Sequence, residues 1–432
     1  MKKIGLFVER QRAWGRLLCE GVATFAQTKD DWTLRMLEPG DLKCPAVLRD
    51  FDGFVARVPD EKTAAAFRRA GKPVADFSAE IKFSRLFIRA VEQDTRAIGQ
   101  LAARHFIEHR FMRFAFCGFY GKRFSDNRRD AFVRCLALNR FPCLLYKAPA
   151  KTARDFDRAI ACSERFASGS DEPEMAAWLV KLPKPVGIFC ANDLRALQLL
   201  ETCRATGFSV PADVAIIGVD NDTLICNFST PTLSSIDPDA FELGRAAAEC
   251  LDAVLDAPGR ELCVRRVQPK GLVTRASTEI YPLDPLWLSD ALVFIRRNVV
   301  RHLTASDVYA HLGLSHTRVN AAFRAVLETT VQKEIRRVQL EEARRLLEGT
   351  ALPVVDIAKR AGFASAQYFC NVFTSAFGRP PSVFRQSAGN KKAAVMIDRL
   401  APFDVPPRRK QARSVRCRPS ESGSRTRIQD PR

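Results

Sequence analysis

The chain has 432 residues, 47% hydrophobic and 27% charged, a composition that excludes a largely disordered chain and is enough for two or three domains. Its net charge is +19, and 26 basic against 12 acidic residues from 290 to 432 place +14 of that on the last third. Such asymmetry favours a polyanion such as nucleic acid as partner. The thirteen cysteines are scattered with no C-x-x-C pair, which points to reduced thiols rather than a zinc site. "MKKIGLFVERQR" is too short in apolar residues for a secretory segment, and no run approaches a membrane span. A cytoplasmic, non-membrane protein without metal or cofactor is expected.

In chain order, "KIGLFV" (3–8) reads as a buried strand and "GRLLCEGVATFAQ" (15–27) as a helix. Further strands are predicted in "FDGFVARV" (51–58), "KPVADF" (72–77), "RFAFCGF" (113–119), "PVGIFCAN" (185–192) and "DVAIIGVD" (213–220). Helical patterns at 95–109 and 193–207 lie between them. The alternation predicts an α/β domain of parallel sheets flanked by helices, with ligands beyond the carboxyl ends of the strands. Asn192 and Asp220 stand at two such ends. They suit a sugar's hydroxyls, and equally suit helix capping. Trp14 and Phe124 are candidates to stack on a sugar face or simply to pack.

From 277 to 289 two prolines and the lack of a clear period predict a linker with a docking segment. From 290 to 390 only helical periodicity remains, with two helix–turn–helix patterns. In the first (304–327), Thr304 or Ser306 caps one helix, Gly313 makes the turn, Ser315 caps the next, and Val319, Phe323 and Val326 form its apolar stripe. In the second (352–377), Pro353 starts a helix, Gly362 turns, Ser365 caps, and Phe369, Phe373 and Phe377 recur every four residues. That packed stripe leaves Ala366, Gln367, Cys370 and Asn371 on a face small and polar enough to approach base edges in a major groove. In the first unit His316, Thr317, Arg318 and Asn320 are the candidates. The helix at 331–349 would space the two units about one turn of DNA apart, and Arg324, Arg336, Arg337 and Arg360 would meet phosphates. The segment 391–432, rich in Arg, Ser and Pro, is expected to be a basic disordered tail.

The stretch with "RRVQLEEARRLL", "DIAKRAGFASAQYFCNVFTSAFGRPPSVFR" and the closing Gly-x-x-Pro resembles the DNA-binding domain of the AraC/XylS family of bacterial transcription regulators. Gly378, Pro381 and Phe384 stand at structural positions of that family. His316 and Ala321 stand where relatives usually carry Arg, so either Arg318 and Asn320 carry the first unit's readout or that helix contributes less than usual. "IFCANDLRALQLLETCRATGFSVPADVAIIGVDN" (188–221) and "PTLSSIDPDAFELGRAAAECLDAVL" (231–255) resemble the effector domain of LacI/GalR regulators, akin to periplasmic sugar-binding proteins, over residues 1–276. A sugar-binding fold ahead of an AraC-type domain is similar to the group of xylose-operon activators. The resemblance implies a two-lobed sensor whose effector is D-xylose or a related pentose. It implies sugar contacts at Arg16, Asp94, Arg128, Asn192 and Asp220. It also implies a homodimer on an operator, in contact with RNA polymerase. Gly15 stands where that group commonly carries an acidic residue, so another sugar, or repression, is the alternative. No G-x-S-x-G, P-loop or zinc spacing marks an enzyme; a DNA-repair alkyltransferase bearing an AraC-type domain is the alternative of a different class.

Overall fold

The computed structural model describes residues 1–77, 87–88, 91–147, 149, 172–257, 264–281, 283 and 285–386. The tail expected over 391–432 lies outside the described residues. In the first lobe, strands β1 (Lys2–Phe7), β2 (Trp32–Met36), β3 (Gly53–Ala56), β4 (Val74–Asp76) and β5 (Phe87–Ile88) form a parallel sheet in the order β2-β1-β3-β4-β5. The continuous apolar runs of β1 and β3 are buried on both faces, as a covered parallel sheet requires. Helices α1 (Ala13–Ala26), α2 (Pro45–Arg49) and α3 (Glu61–Ala70) follow the first strands.

Strand β6 (Val91–Gln93) leads into α4 (Thr95–Glu108) and the second lobe. There β7 (Phe114–Cys117), α5 (Arg123–Leu138), β8 (Cys143–Leu145), α6 (Glu172–Lys181), β9 (Val186–Cys190), α7 (Asp193–Ala205), β10 (Val214–Val219), α8 (Thr223–Phe228) and β11 (Ser234–Asp237) follow one another. The chain returns to the first lobe as α9 (Ala240–Asp256), then crosses back through β12 (Arg265–Val267) to β13 (Gly271–Val273). The second sheet runs β13-β11-β10-β9-β7-β8, parallel except for β13. β6 and β12 pair with each other at the crossover, tied by the Asp94 amide to the Val267 carbonyl at 2.9 Å.

Helices α1 and α9 pack closely because each places a glycine at the contact. A Cβ on Gly21 would lie 2.0 Å from the Phe241 carbonyl oxygen, and one on Gly244 2.0 Å from that of Leu18. Backbone cannot yield as a side-chain tip can. Gly21→Ala is therefore expected to cost about 3 kcal/mol by overpacking, read as a lower urea midpoint.

The C-terminal region is helical throughout: α10 (Leu286–Asn298), α11 (Ala305–Leu312), α12 (His316–Leu327), α13 (Val331–Gly349), α14 (Val354–Arg360) and α15 (Ala366–Phe377). Thr304 closes a capping box with Asp307, and Gly313 ends α11 in the left-handed region. Ser315, Thr330 and Ser365 cap α12, α13 and α15. Two small cores result. One gathers Leu288, Ile295, Val319, Phe323 and Leu327, the other Ile357, Phe363, Phe369 and Phe373. Helix α13, about 29 Å long, donates Ile335 and Val338 to the first and Ala343, Leu346 and Leu347 to the second. It is a spacer by being part of both cores.

One expectation is corrected: the apolar stripe of α12 closes on Leu327, whereas Val326 is exposed. Within the segment 277–289, Ser277 donates to the Ile216 carbonyl at 2.7 Å, Tyr281 is buried, and α10 begins at Leu286. Local hydrogen bonding and one aromatic anchor order a stretch that carries no period.

Candidate effector cleft and nucleic-acid interface

Four strand ends and one helix converge between the lobes. From the first lobe come Glu9, Arg12 and Trp14 after β1 and Arg57 after β3; from the second come Arg128 on α5, Asn192 after β9, and Asp220 and Asp222 after β10. Arg128 is the centre. Its side chain is buried, and its Nη1 donates to the Ala191 carbonyl at 2.6 Å. Its Nη2 donates to Gln93 Oε1 at 3.0 Å and lies 3.6 Å from Asp220 Oδ1. The guanidinium also sits over the Phe124 ring, 5.5 Å from its centroid. Burial pushes the Asp220 carboxyl up to about 6, against the pull of Arg128, Arg12 and Arg57. The same burial pulls the Arg128 guanidinium below its usual range. Arg128 is buried and Asp220 keeps an opening to the cleft, 4% and 21% exposed, so the pair is partly desolvated and can still meet a ligand's hydroxyls.

The backbone there is unusual too. Asp220 and Asn221 have φ of 112° and 48°, the region glycine favours, at the last turn of β10. Asn221 is held by Ser235 Oγ and by Arg275 Nη2, so the turn is over-determined. Buried Asp193 supports it from below, accepting from the Asp222 amide at 2.8 Å and from Ser235 Oγ. Its role is to shape the turn that presents Asp220. Asp222 joins the lobes: Oδ1 caps α8, while Oδ2 accepts from the Ala13 amide at 3.0 Å across the cleft.

The sequence-derived residues separate cleanly. Arg128 and Asp220 meet. Asn192 is beside them, its side-chain Oδ1 accepting from the Arg195 amide as the cap of α7. Asp94 lies at the crossover, where Oδ1 caps α4 and Oδ2 accepts from Gln268 Nε2 at 2.7 Å; both oxygens are occupied. Arg16 departs from expectation: its exposed guanidinium donates to the Arg10 and Gln11 carbonyls and closes its own loop. The first lobe instead presents Arg12, whose guanidinium is lowered by burial and by Arg57 and feels Glu9, Asp220 and Asp222. Arg57 is hydrogen-bonded to Glu9 and stands 5.9 Å over the Trp14 ring. Trp14 also packs on Phe77 at 5.4 Å. Glu9, Arg12, Arg57 and Gln93 were not singled out from the sequence, although the charged run after the first strand, "ERQR", lies where the strand-end rule points.

In the C-terminal region, His316, Thr317, Arg318, Ala321 and Arg324 are exposed along one side of α12. Asn320 is committed elsewhere: Nδ2 donates to the Tyr309 hydroxyl at 2.7 Å and to the His316 carbonyl, so it braces α11 against α12 rather than facing outward. On α15, Gln367 and Asn371 are exposed beside the cap Ser365, while Ala366 and Cys370 are half-buried against the core. Tyr368, missed from the sequence, joins that outer face; its hydroxyl accepts from Arg336 Nη2 at 2.6 Å and Arg336 stacks on its ring. Arg337, expected at a phosphate, is half-buried and pairs with Glu334 and Glu341. Carboxylates one turn away on the same helix claim it first. Arg324 and Arg360 are exposed. Among the described residues no helix is long and apolar enough to cross a membrane, and no cluster could hold a metal.

A two-lobed cleft lined by paired charges, followed by two helix–turn–helix units on one spacer helix, defines a ligand-sensing DNA-binding regulator. Residues 103–278 match the periplasmic binding protein-like domain family, and residues 308–387 match a helix-turn-helix domain family. The chain is 26% identical over 391 residues to the xylose operon regulatory protein of Haemophilus influenzae, covering 89% of this chain and 98% of that one. Over 100 residues it is 33% identical to the HTH-type transcriptional activator AarP of Providencia stuartii, covering 74% of that protein. The solved structure of the xylose-binding transcription activator xylR superposes with a TM-score of 0.54 at 26% identity, over 89% of this chain and 98% of that one. The chain belongs to the AraC/XylS family of helix-turn-helix transcription regulators, in the subgroup that places a periplasmic-binding-protein-like sensor ahead of the DNA-binding helices.

Proposed function

We propose that the cleft binds a pentose, D-xylose or a close relative. Its occupancy sets the two helix–turn–helix units of a cytoplasmic homodimer on a repeated operator and activates transcription with RNA polymerase. The observation that carries this reading is the Arg128–Asp220 pair at the lobe interface, with Arg128 buried, Asp220 half-buried and Asn192 and Arg12 around them. Directional donors and acceptors at strand ends are what a sugar's hydroxyls require. End-to-end likeness to xylose operon regulators supports the choice of pentose. Regulation without enzymatic turnover fits the same likeness. The test is calorimetric titration of the full chain with D-xylose, D-ribose, L-arabinose and D-glucose. Saturable heat with a pentose is expected; silence with all four contradicts a sugar cleft.

Acidity should modulate that binding. The ionised Asp220 accepts hydroxyl protons, whereas the neutral acid competes for them. With its carboxyl near pH 6, lowering the pH from 7 to 5 fills the group with protons, and pentose affinity should fall about tenfold. Calorimetry at the two pH values checks this, and Asp220→Asn should bind weakly at both, with the slope gone.

A further inference from the structure

Helix α4 starts at the cleft and ends at the DNA-binding region. At its start, Gln93 holds Arg128 and Asp94 caps the helix while bonding β12 through Val267 and Gln268. Any change in crossover geometry reaches this cap first. At its end, about 21 Å away, the His105 and His109 rings lie against each other with centroids 3.9 Å apart and planes tilted by 32°. His109 lies nearly parallel to Tyr281, 4.8 Å away, and Tyr281 belongs to the segment leading into α10.

Arg296 of α10 then closes the contact. Its Nη1 meets His109 Nε2 at 2.8 Å, and its Nη2 donates to Glu341 of α13 at 3.3 Å. A guanidinium can only donate, so His109 Nε2 is the acceptor. The proton of that ring sits on Nδ1, which faces the His105 carbonyl at 2.7 Å. Burial and the Arg296 charge keep both imidazoles neutral. Glu341 passes the contact to Arg337 on the helix shared by both helix–turn–helix cores.

This junction is not built for maximal stability. His105 Nε2 is buried with no hydrogen-bond partner among the described residues, and the ion pairs are partly desolvated. Apolar residues of similar volume would hold two domains together at least as firmly. Polar, partly satisfied contacts are instead typical of domain interfaces that change.

We propose that α4 is the transmission element between the cleft and the DNA-binding helices, and that the His105–His109–Tyr281 cluster gripped by Arg296 is the contact through which it acts. The proposal rests on the sugar-cleft reading given above. Two sites are coupled when one element has different contacts in two states, and here a single guanidinium, Arg296, joins α4 to α13 through His109 and Glu341.

The test uses the full chain and two substitutions outside both binding surfaces, Arg296→Gln and His109→Gln. For each, calorimetry gives the D-xylose affinity, and fluorescence anisotropy gives the affinity for a selected operator duplex with and without saturating D-xylose. Thermal melts confirm folding, and either variant alone suffices. The wild type should show at least about a fivefold operator response. Both variants should keep D-xylose affinity within about twofold while the response falls to within about twofold of unity. Combining them should add nothing, as expected of one contact. A folded variant that keeps the wild-type response overturns the proposal, as does a wild type that binds D-xylose without any response. A wild type that binds none of the four sugars titrated above overturns the cleft reading, and the proposal with it; where another of the four binds, that sugar takes the place of D-xylose in every arm.

Discussion

Phe373→Ala is expected to unfold the second helix–turn–helix and to abolish operator binding. Phe373 is fully buried, and its ring meets those of Phe369, Phe377 and Phe384 at 5.4, 4.4 and 5.3 Å. Removing a buried phenyl group costs about 3–5 kcal/mol through lost transfer energy and the cavity left behind. The core it anchors is small, so little else compensates. The first core draws on other side chains and should persist, as should the sensor lobes. Circular dichroism melts should show an early helical transition absent from the wild type. Operator anisotropy should be lost while D-xylose heat is retained. Ser375→Ala, on the exposed side of α15, is the control and should stay within about 0.5 kcal/mol of wild type.

Arg128→Ala should remove effector binding. The substitution deletes the donor to the Ala191 carbonyl, the partner of Gln93 and the ion-pair partner of Asp220 in one step. Leaving a mostly buried carboxylate without its cation typically costs about 3–5 kcal/mol. The affinity for D-xylose should drop by at least about a hundredfold, because Asp220 then protonates or turns toward water. Arg128→Lys keeps the charge and loses the planar fork, and should fall between, about tenfold weaker than wild type. Calorimetry measures both. If Arg128→Ala bound D-xylose with wild-type affinity, the cleft would not be centred on this pair.

Much of this architecture was legible in the sequence, for physical reasons. Doubly covered strands such as β1, β3, β9 and β10 are continuous apolar runs, and caps such as Ser315 and Ser365 announce their helices. The strands that were missed do not look like strands locally. β2 alternates apolar with exposed residues over only five positions, and β6, β8, β12 and β13 have three residues each. Pairing across the chain makes them, and composition does not report pairing.

The site was half legible. Strand ends led to Asp220 and Asn192, and the family resemblance to Arg128. Arg16 and Arg12 sit in one charged run, and which of them turns inward depends on the loop that Arg16 closes over Arg10 and Gln11. By type Asn320 looks like a readout residue and Arg337 like a phosphate contact, yet Tyr309 engages the first and Glu334 and Glu341 the second. A polar residue three or four positions from an opposite charge on one helix is often spoken for.

The most direct measurement is selection of binding sites from a pool of random duplexes by the full chain, performed with and without saturating D-xylose. A sugar-controlled regulator should enrich one repeated motif, with two reading units about one helical turn apart per subunit, and enrich it more strongly when the sugar is present. No enrichment in either condition, or an identical motif and strength in both with D-xylose shown to be bound, would contradict the account.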